Sequence, residues 1–338
     1  MGKKQVKLGL FTSVYSYFLY LLLKGYDEND IIIVHNSFPE SISKNINPIV
    51  VPVEAVRSGG IKQSIKGLAT YIFNYLKLRI LLFIKTFNKD VVNYGHPFSG
   101  YAFMFYENEN SNIIEDGLAN YSRPICKTHK INPIIDALLH VAGIYFLKEC
   151  EAHGSHKNIK NIYLTNENNH PLIKDKVRVI DIKQLWNDLN RKKQNEILEI
   201  FNIDLKDFNL KNEIALILTE PFTEEKLMSL DEELSIYRSM IEKFKDMDVI
   251  IKPHPRDLKN YAEIFPNAKV IDKQFPVELL TLININPTVV CSVISTALYH
   301  FEKSKIYVYD GKLNDDHLDN AREELLKIIK EKNLDLIN

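Results

Sequence analysis

The chain is poor in the features that staple a fold, cross a bilayer or grip a bound dinucleotide. Its 338 residues include only three cysteines, Cys126, Cys150 and Cys291. An odd number of widely spaced cysteines offers neither a disulfide framework nor metal-ligand spacing, and reads as reduced thiols in a cytoplasmic protein. The formal net charge is −1, with 43 Lys and Arg against 44 Asp and Glu. Non-specific nucleic-acid binding needs a basic excess, so no nucleic-acid partner is expected. No uninterrupted apolar run has the length of a membrane span. The basic start is followed by an apolar stretch broken at Thr12, Ser13 and Ser16 with no small-residue cleavage site, so no signal peptide is expected. Gly2 lacks the downstream Ser or Thr of a myristoylation signal. Neither Gly-x-Gly-x-x-Gly nor a Walker loop follows a predicted strand, which argues against a nicotinamide or flavin dinucleotide and against a P-loop nucleotide.

What the chain does have is a long alternation of β-branched runs and amphipathic stretches, with a hydrophobic content of 45%. Strands are predicted over 6–11, 31–35, 49–53, 90–94, 102–106, 112–114, 159–165 and 177–182, and then over 214–218, 249–251, 269–271, 289–291 and 306–309. Helices are predicted over 17–24, 61–86, 133–147, 186–201, 232–244, 297–301 and 319–331. Strands alternating with helices imply parallel sheets, and this length implies two domains. The fold class is therefore α/β, with Rossmann-like αβα domains over 1–175 and 176–338 facing a central cleft. The 61–86 helix has a broad apolar face and five cations, Lys62, Lys66, Lys77, Arg79 and Lys85, with no acid. An ordinary core-facing helix accounts for that pattern, and a peripheral contact with an anionic membrane is compatible with it.

Three polar stretches fall just past predicted strands, where open α/β sheets bind ligands. Glu115-Asp116-Gly117 supplies adjacent carboxylates, one of them a potential general base, and a glycine that permits close approach. The same pattern also makes an ordinary turn. Lys252-Pro253-His254-Pro255-Arg256 holds an imidazole between two prolines and two cations, on a stiff extended corner suited to a phosphate-bearing substrate. Ser292-Val-Ile-Ser295-Thr296 brings hydroxyls to a predicted strand-to-helix junction, where free amides collect anions. Glu278 follows Pro276 and serves either as a first-turn helix charge or as an acceptor for ribose hydroxyls. His96, in Gly95-His96-Pro97, ends another strand on the side of the acidic pair.

In this order, Glu-Asp-Gly, Lys-Pro-His-Pro and Ser-x-x-Ser-Thr resemble the three short motifs of bacterial sialyltransferases, and the pattern is most similar to glycosyltransferase family 52. The resemblance implies a GT-B fold, a CMP-sialic acid donor, a galactose-type acceptor on a capsular or lipooligosaccharide glycan, and inverting transfer without metal or other cofactor. It makes Asp116 the base and His254 the motif histidine, with Ser295 and Thr296 as phosphate-binding hydroxyls and Ser292 open as the alternative phosphate ligand. Lys252, Pro255 and Glu278 fall on the donor side, and Glu115, Gly117 and His96 on the acceptor side. An acidic residue upstream of the histidine, Glu220 or Asp231, is the alternative base. A lipid-linked acceptor at the inner membrane face and a homodimer are both compatible with the pattern. A UDP-hexose transferase on the same scaffold and a non-catalytic sugar- or nucleotide-binding protein are the competing readings.

Overall fold

Short β-branched segments, Ile31–His35 foremost among them, form strands flanked on both sides, and the amphipathic stretches between them pack as helices on the sheets. The computed structural model describes residues 3–52, 61–96, 101, 103–117, 120–121, 154–208 and 213–337. The helix expected over 133–147 and the thiols Cys126 and Cys150 lie outside the described residues.

The chain divides into two units, Met1–Asn202 and Ile203–Asn338. The first contains β1 (Gln5–Phe11), α1 (Val14–Lys24), β2 (Ile31–His35), α2 (Glu40–Ile46), β3 (Ile49–Val51), α3 (Ile61–Thr86), β4 (Asp90–Gly95) and α4 (Phe103–Glu107). It continues with β5 (Ser111–Ile114), β6 (Ile159–Leu164), β7 (Val177–Val179), α5 (Ile182–Asp188) and α6 (Arg191–Ile200). Its seven strands are ordered β3-β2-β1-β4-β5-β6-β7, and every described pairing among them is parallel. The order reverses direction between β1 and β4, where Leu10 lies opposite Gly95. Only glycine fits at 95: φ is +126°, and a Cβ there would sit 2.0 Å from the Leu10 carbonyl oxygen.

The second unit contains β8 (Ile214–Leu218), α7 (Leu230–Lys243), β9 (Asp248–Lys252), α8 (Tyr261–Ile264), β10 (Lys269–Val270), α9 (Glu278–Leu282), β11 (Val289–Ser292), β12 (Lys305–Val308), α10 (Asp316–Glu331) and β13 (Leu336–Ile337). The sheet order is β10-β9-β8-β11-β12-β13, again parallel, with the reversal between β8 and β11. Its core joins Ala215, Ile217, Ile251 and Val289 of the strands to Ile236, Tyr237 and Met240 of α7.

Three expectations change. The boundary expected at 175/176 falls at 202/203, because β7 pairs with β6 and completes the first sheet. The helices behind β7 pack there too: Phe201 lies edge-on to Phe18 at 6.0 Å, and Asn45 Nδ2 donates to the Ile200 carbonyl at 3.0 Å. The expected 186–201 helix is two helices: the first ends with Leu189 as its C-cap, and Asn190 caps the second by accepting from the Lys193 N–H. Finally, the strand expected over 102–106 is the helix α4, which buries Met104 and Phe105; a short aromatic run carries no periodicity that tells the two apart.

Candidate functional site

In each unit the residues past the strands on either side of the reversal gather into a polar cluster. In the first unit, β1 ends in Thr12-Ser13, β4 in His96 and β5 in Glu115-Asp116. Ser13 caps α1, its hydroxyl accepting from the Ser16 N–H and donating to Asp116 Oδ1. Thr12 Oγ1 donates to the same carboxylate at 3.3 Å, and His96 Nδ1 lies 3.8 Å from Asp116 Oδ2. Burial raises the Asp116 carboxyl above its ordinary value, against the lowering pull of the Ser13 and Thr12 hydroxyls. Asp116 thus sits before the amino end of α1 as a partly accessible carboxylate made more basic than usual.

Its neighbours have other tasks. Glu115, expected on the acceptor side, is buried, and its Oε2 accepts from the Thr165 N–H at 2.6 Å, the Thr165 hydroxyl at 2.8 Å and the Tyr121 hydroxyl at 2.7 Å. It ties β5 to the end of β6. His96 is likewise buried and stands behind Asp116. Gly117 has a φ of +128°, which favours glycine, and open space lies beside it, since a Cβ there would meet nothing within 4 Å.

In the second unit, β8 ends in Thr219-Glu220, β9 in the histidine loop and β11 in Ser292. The His254 N–H donates to Thr219 Oγ1 at 3.2 Å, and Thr219 Oγ1 donates to Asp257 Oδ2 at 2.9 Å. The Arg256 N–H donates to His254 Nδ1 at 3.1 Å, which leaves the ring proton of the neutral imidazole on Nε2. Burial, with Arg256 and Lys252 adding like charge, pushes the His254 pKa down to about 4. The imidazole is therefore a neutral hydrogen-bond donor at pH 7. Pro255 and Arg256 are exposed, and Arg256 pairs with Glu225.

Glu220 is hydrogen-bonded to the Ser295 side chain, and burial pushes its carboxyl up to about 7. Of the two alternative bases it is the one inside the cluster; Asp231 lies exposed in the first turn of α7. Lys252 is buried, with Nζ donating to the carbonyls of Pro253 at 2.7 Å and Lys273 at 2.8 Å. Burial lowers its pKa to about 8, opposed by the charges of Glu278, Asp272 and Glu220. Lys252 thus braces the loop from within rather than presenting a free ammonium. Glu278 opens α9 and its Oε1 lies 3.2 Å from His300 Nε2.

Ser292 is fully buried and its Oγ accepts from the Ser295 N–H at 3.1 Å, while Ser295 is half-buried and Thr296 exposed. The helix expected to follow is a five-residue 3-10 turn, Thr296–His300, so no helix dipole of consequence stands there. Of the three hydroxyls, Ser295 and Thr296 remain accessible.

Beneath the histidine loop lies a network absent from the sequence reading. Lys259 Nζ reaches Glu224 at 2.8 Å, Glu233 at 2.9 Å and Asp257 at 3.1 Å. Tyr261 donates to Asp257 at 2.8 Å, and Lys273 Nζ donates to the Asp257 carbonyl at 2.8 Å. Glu233 and Asp257 are almost wholly buried, so this paired, hydrogen-bonded cluster holds the loop in one geometry. The one signal in the sequence was Asp257 directly after Pro-Arg. Among the described residues no group of His, Cys, Asp or Glu is arranged to hold a metal ion.

The family model of glycosyltransferase family 52 matches residues 36–315. The chain belongs to glycosyltransferase family 52. This family 52 glycosyltransferase is 30% identical over 305 residues to a Haemophilus influenzae protein described as uncharacterized, a match covering 88% of this chain and 92% of that one. Among solved structures, the 2,6-sialyltransferase of Photobacterium sp. JT-ISH-224, crystallised with CMP and lactose, aligns with a TM-score of 0.58 at 12% identity, covering 98% of this chain and 76% of that one. A sialyltransferase from Photobacterium damselae, solved as its GT-B domain, aligns with a TM-score of 0.54 at 13% identity over 98% of this chain and 99% of that one. The family 52 glycosyltransferase therefore has the GT-B fold of paired parallel α/β units.

Proposed function

We propose that the chain is a sialyltransferase that moves sialic acid from CMP-sialic acid to a galactose-type hydroxyl, by inversion and without a metal. The observation that carries this reading is the cluster at the second unit's strand reversal. There a neutral His254 with its proton on Nε2, the Ser295 and Thr296 hydroxyls and the buried charge of Lys252 lie at or just past the carboxyl ends of β9 and β11, the strands on either side of β8. Those are donors and positive charge suited to a departing nucleoside monophosphate, and the similarly folded sialyltransferase crystallised with CMP and lactose supports the choice of CMP.

In the first unit, Asp116 takes the proton of the acceptor hydroxyl as its oxygen attacks the anomeric carbon. The C–O bond to the phosphate breaks in the same step, and the bonding pair leaves with CMP. His254 Nε2–H and the Ser295/Thr296 hydroxyls hydrogen-bond the phosphate oxygens as they gain charge. With its pKa lowered to about 4 in the free protein, His254 acts as a hydrogen-bond donor rather than as a cationic acid. Glu278 hydrogen-bonds the ribose. Glu220 is a second reading for the base, favoured by a carboxyl pKa of about 7.

The test is incubation of the purified protein with CMP-sialic acid and lactose, read by mass spectrometry, beside parallel arms with UDP-hexoses and with EDTA. Sialyllactose and CMP are expected, with or without chelator. Release of UDP from a UDP-hexose, or CMP binding with no turnover, would overturn the reading in favour of a hexosyltransferase or a binding protein.

A further inference from the structure

Helix α3 has two apolar faces, and among the described residues only one of them packs into the core. Tyr71, Tyr75, Leu78 and Leu82 recur at helical spacing and are buried in the first unit's core. On the opposite side of the helix from the buried stripe runs a second series: Phe73, Leu76, Ile80, Phe83 and Ile84. These five are 67%, 41%, 63%, 66% and 66% exposed, and Phe87, just past the helix end, is 68% exposed and lies edge-on to Phe83. A groove of 460 Å³ between α3 and α4 opens beside Ile80 and Phe83 and extends the apolar surface inward. Single exposed apolar side chains are ordinary, but a continuous stripe of this length marks a surface made to be covered.

The charges around the stripe favour one kind of partner. The helix Ile61–Thr86 contains five cations and no acid. Arg79 is occupied by Glu107, at 2.8 Å, and lies over the Phe103 ring, whereas Lys77, Lys85 and Lys89 are exposed. A second copy docked through the same face would bring this one-signed charge against itself. An anionic lipid surface would meet aromatic and aliphatic side chains with its acyl boundary and lysines with its headgroups. Among the described residues no helix is long and apolar enough to cross a membrane, so the contact lies in the interface plane.

We infer that the outward face of α3 docks the protein on an anionic membrane surface. The experiment is co-sedimentation of the purified full chain with vesicles of phosphatidylcholine alone or mixed with phosphatidylglycerol, at low and high salt. The expected result is binding to the anionic vesicles that weakens with salt. The double variant Phe83→Glu/Ile84→Glu should bind at least about tenfold less tightly, with an unchanged melting temperature because both side chains are exposed; Lys77→Glu/Lys85→Glu should lose the preference for anionic over neutral vesicles. Three outcomes would overturn the inference. One is a wild-type chain that stays in the supernatant. Another is an apolar-face variant that changes a dimer to a monomer without affecting vesicle binding, which would assign the face to a second copy. The last is an apolar-face variant that melts several degrees lower with no vesicle binding in either protein, which would assign the face to the chain's own apolar 133–147 stretch.

Discussion

Replacing Glu220 with glutamine should make the second unit's stability less dependent on pH, in a direction and by an amount that its surroundings fix. The wild-type carboxyl ionises near 7 when folded, against 4.5 when solvated. Between those values the folded chain retains a proton that the unfolded chain has released, so stability falls as pH rises from 4.5 through 7. At about 1.36 kcal/mol per pH unit the gap amounts to about 3 kcal/mol, and partial solvent access reduces it to about 1–3 kcal/mol. Glutamine keeps the shape and the hydrogen bond to Ser295 but cannot ionise. Denaturant unfolding at about pH 5 and pH 8, followed through the second unit's transition, should therefore show the variant gaining stability over wild type at the higher pH only. Parallel pH profiles for the two proteins would refute the claim that a buried, perturbed carboxyl occupies this position. The same variant separates the candidate bases: with Asp116 as base its turnover stays within about tenfold of wild type, whereas a base at 220 would cost about a hundredfold or more.

His254→Ala should lower kcat by about a hundredfold or more while leaving the dissociation constant for CMP within a few-fold, as measured by steady-state kinetics and calorimetry; a change in affinity alone would remove His254 from the transition state. Glu115→Gln should cost about 1–3 kcal/mol in a denaturation curve, because the three hydrogen bonds to its Oε2 are weakened or re-paired, and little in KM for the acceptor, because it faces Thr165 and Tyr121 rather than solvent. Gly95→Ala should cost about 3 kcal/mol or more and appear as loss of the first unit's unfolding transition, since both its φ of +126° and the 2.0 Å approach to Leu10 exclude a side chain.

Strands such as Ile31–His35 and Ile214–Leu218 were legible to the residue, because β-branched runs enclosed by turns leave little choice. The pairing of β7 with β6 was not: three residues, Val177–Val179, carry no periodicity, and the change of pattern around them resembled a new domain. At the sites, Asp116, His254 and Ser295 stand where strand-end placement put them. What could not be read was partnership across sequence distance. Ser13 meets Asp116 from 103 residues away, and the Lys259 network joins residues that look, one at a time, like solvated surface charges. The 3-10 turn after Ser295 was missed because Thr-Ala-Leu-Tyr-His fits helix propensities equally well.

The division of the chain at 202/203 leaves the acceptor-side candidates Asp116 and His96 in one folded body and the donor-side candidates His254, Glu278 and Ser295 in the other. On the proposed assignment, selection could alter which sugar is accepted through the amino-terminal half without disturbing nucleotide recognition. On that assignment, recombination with a relative at the junction would exchange acceptor preference while the donor stays the same.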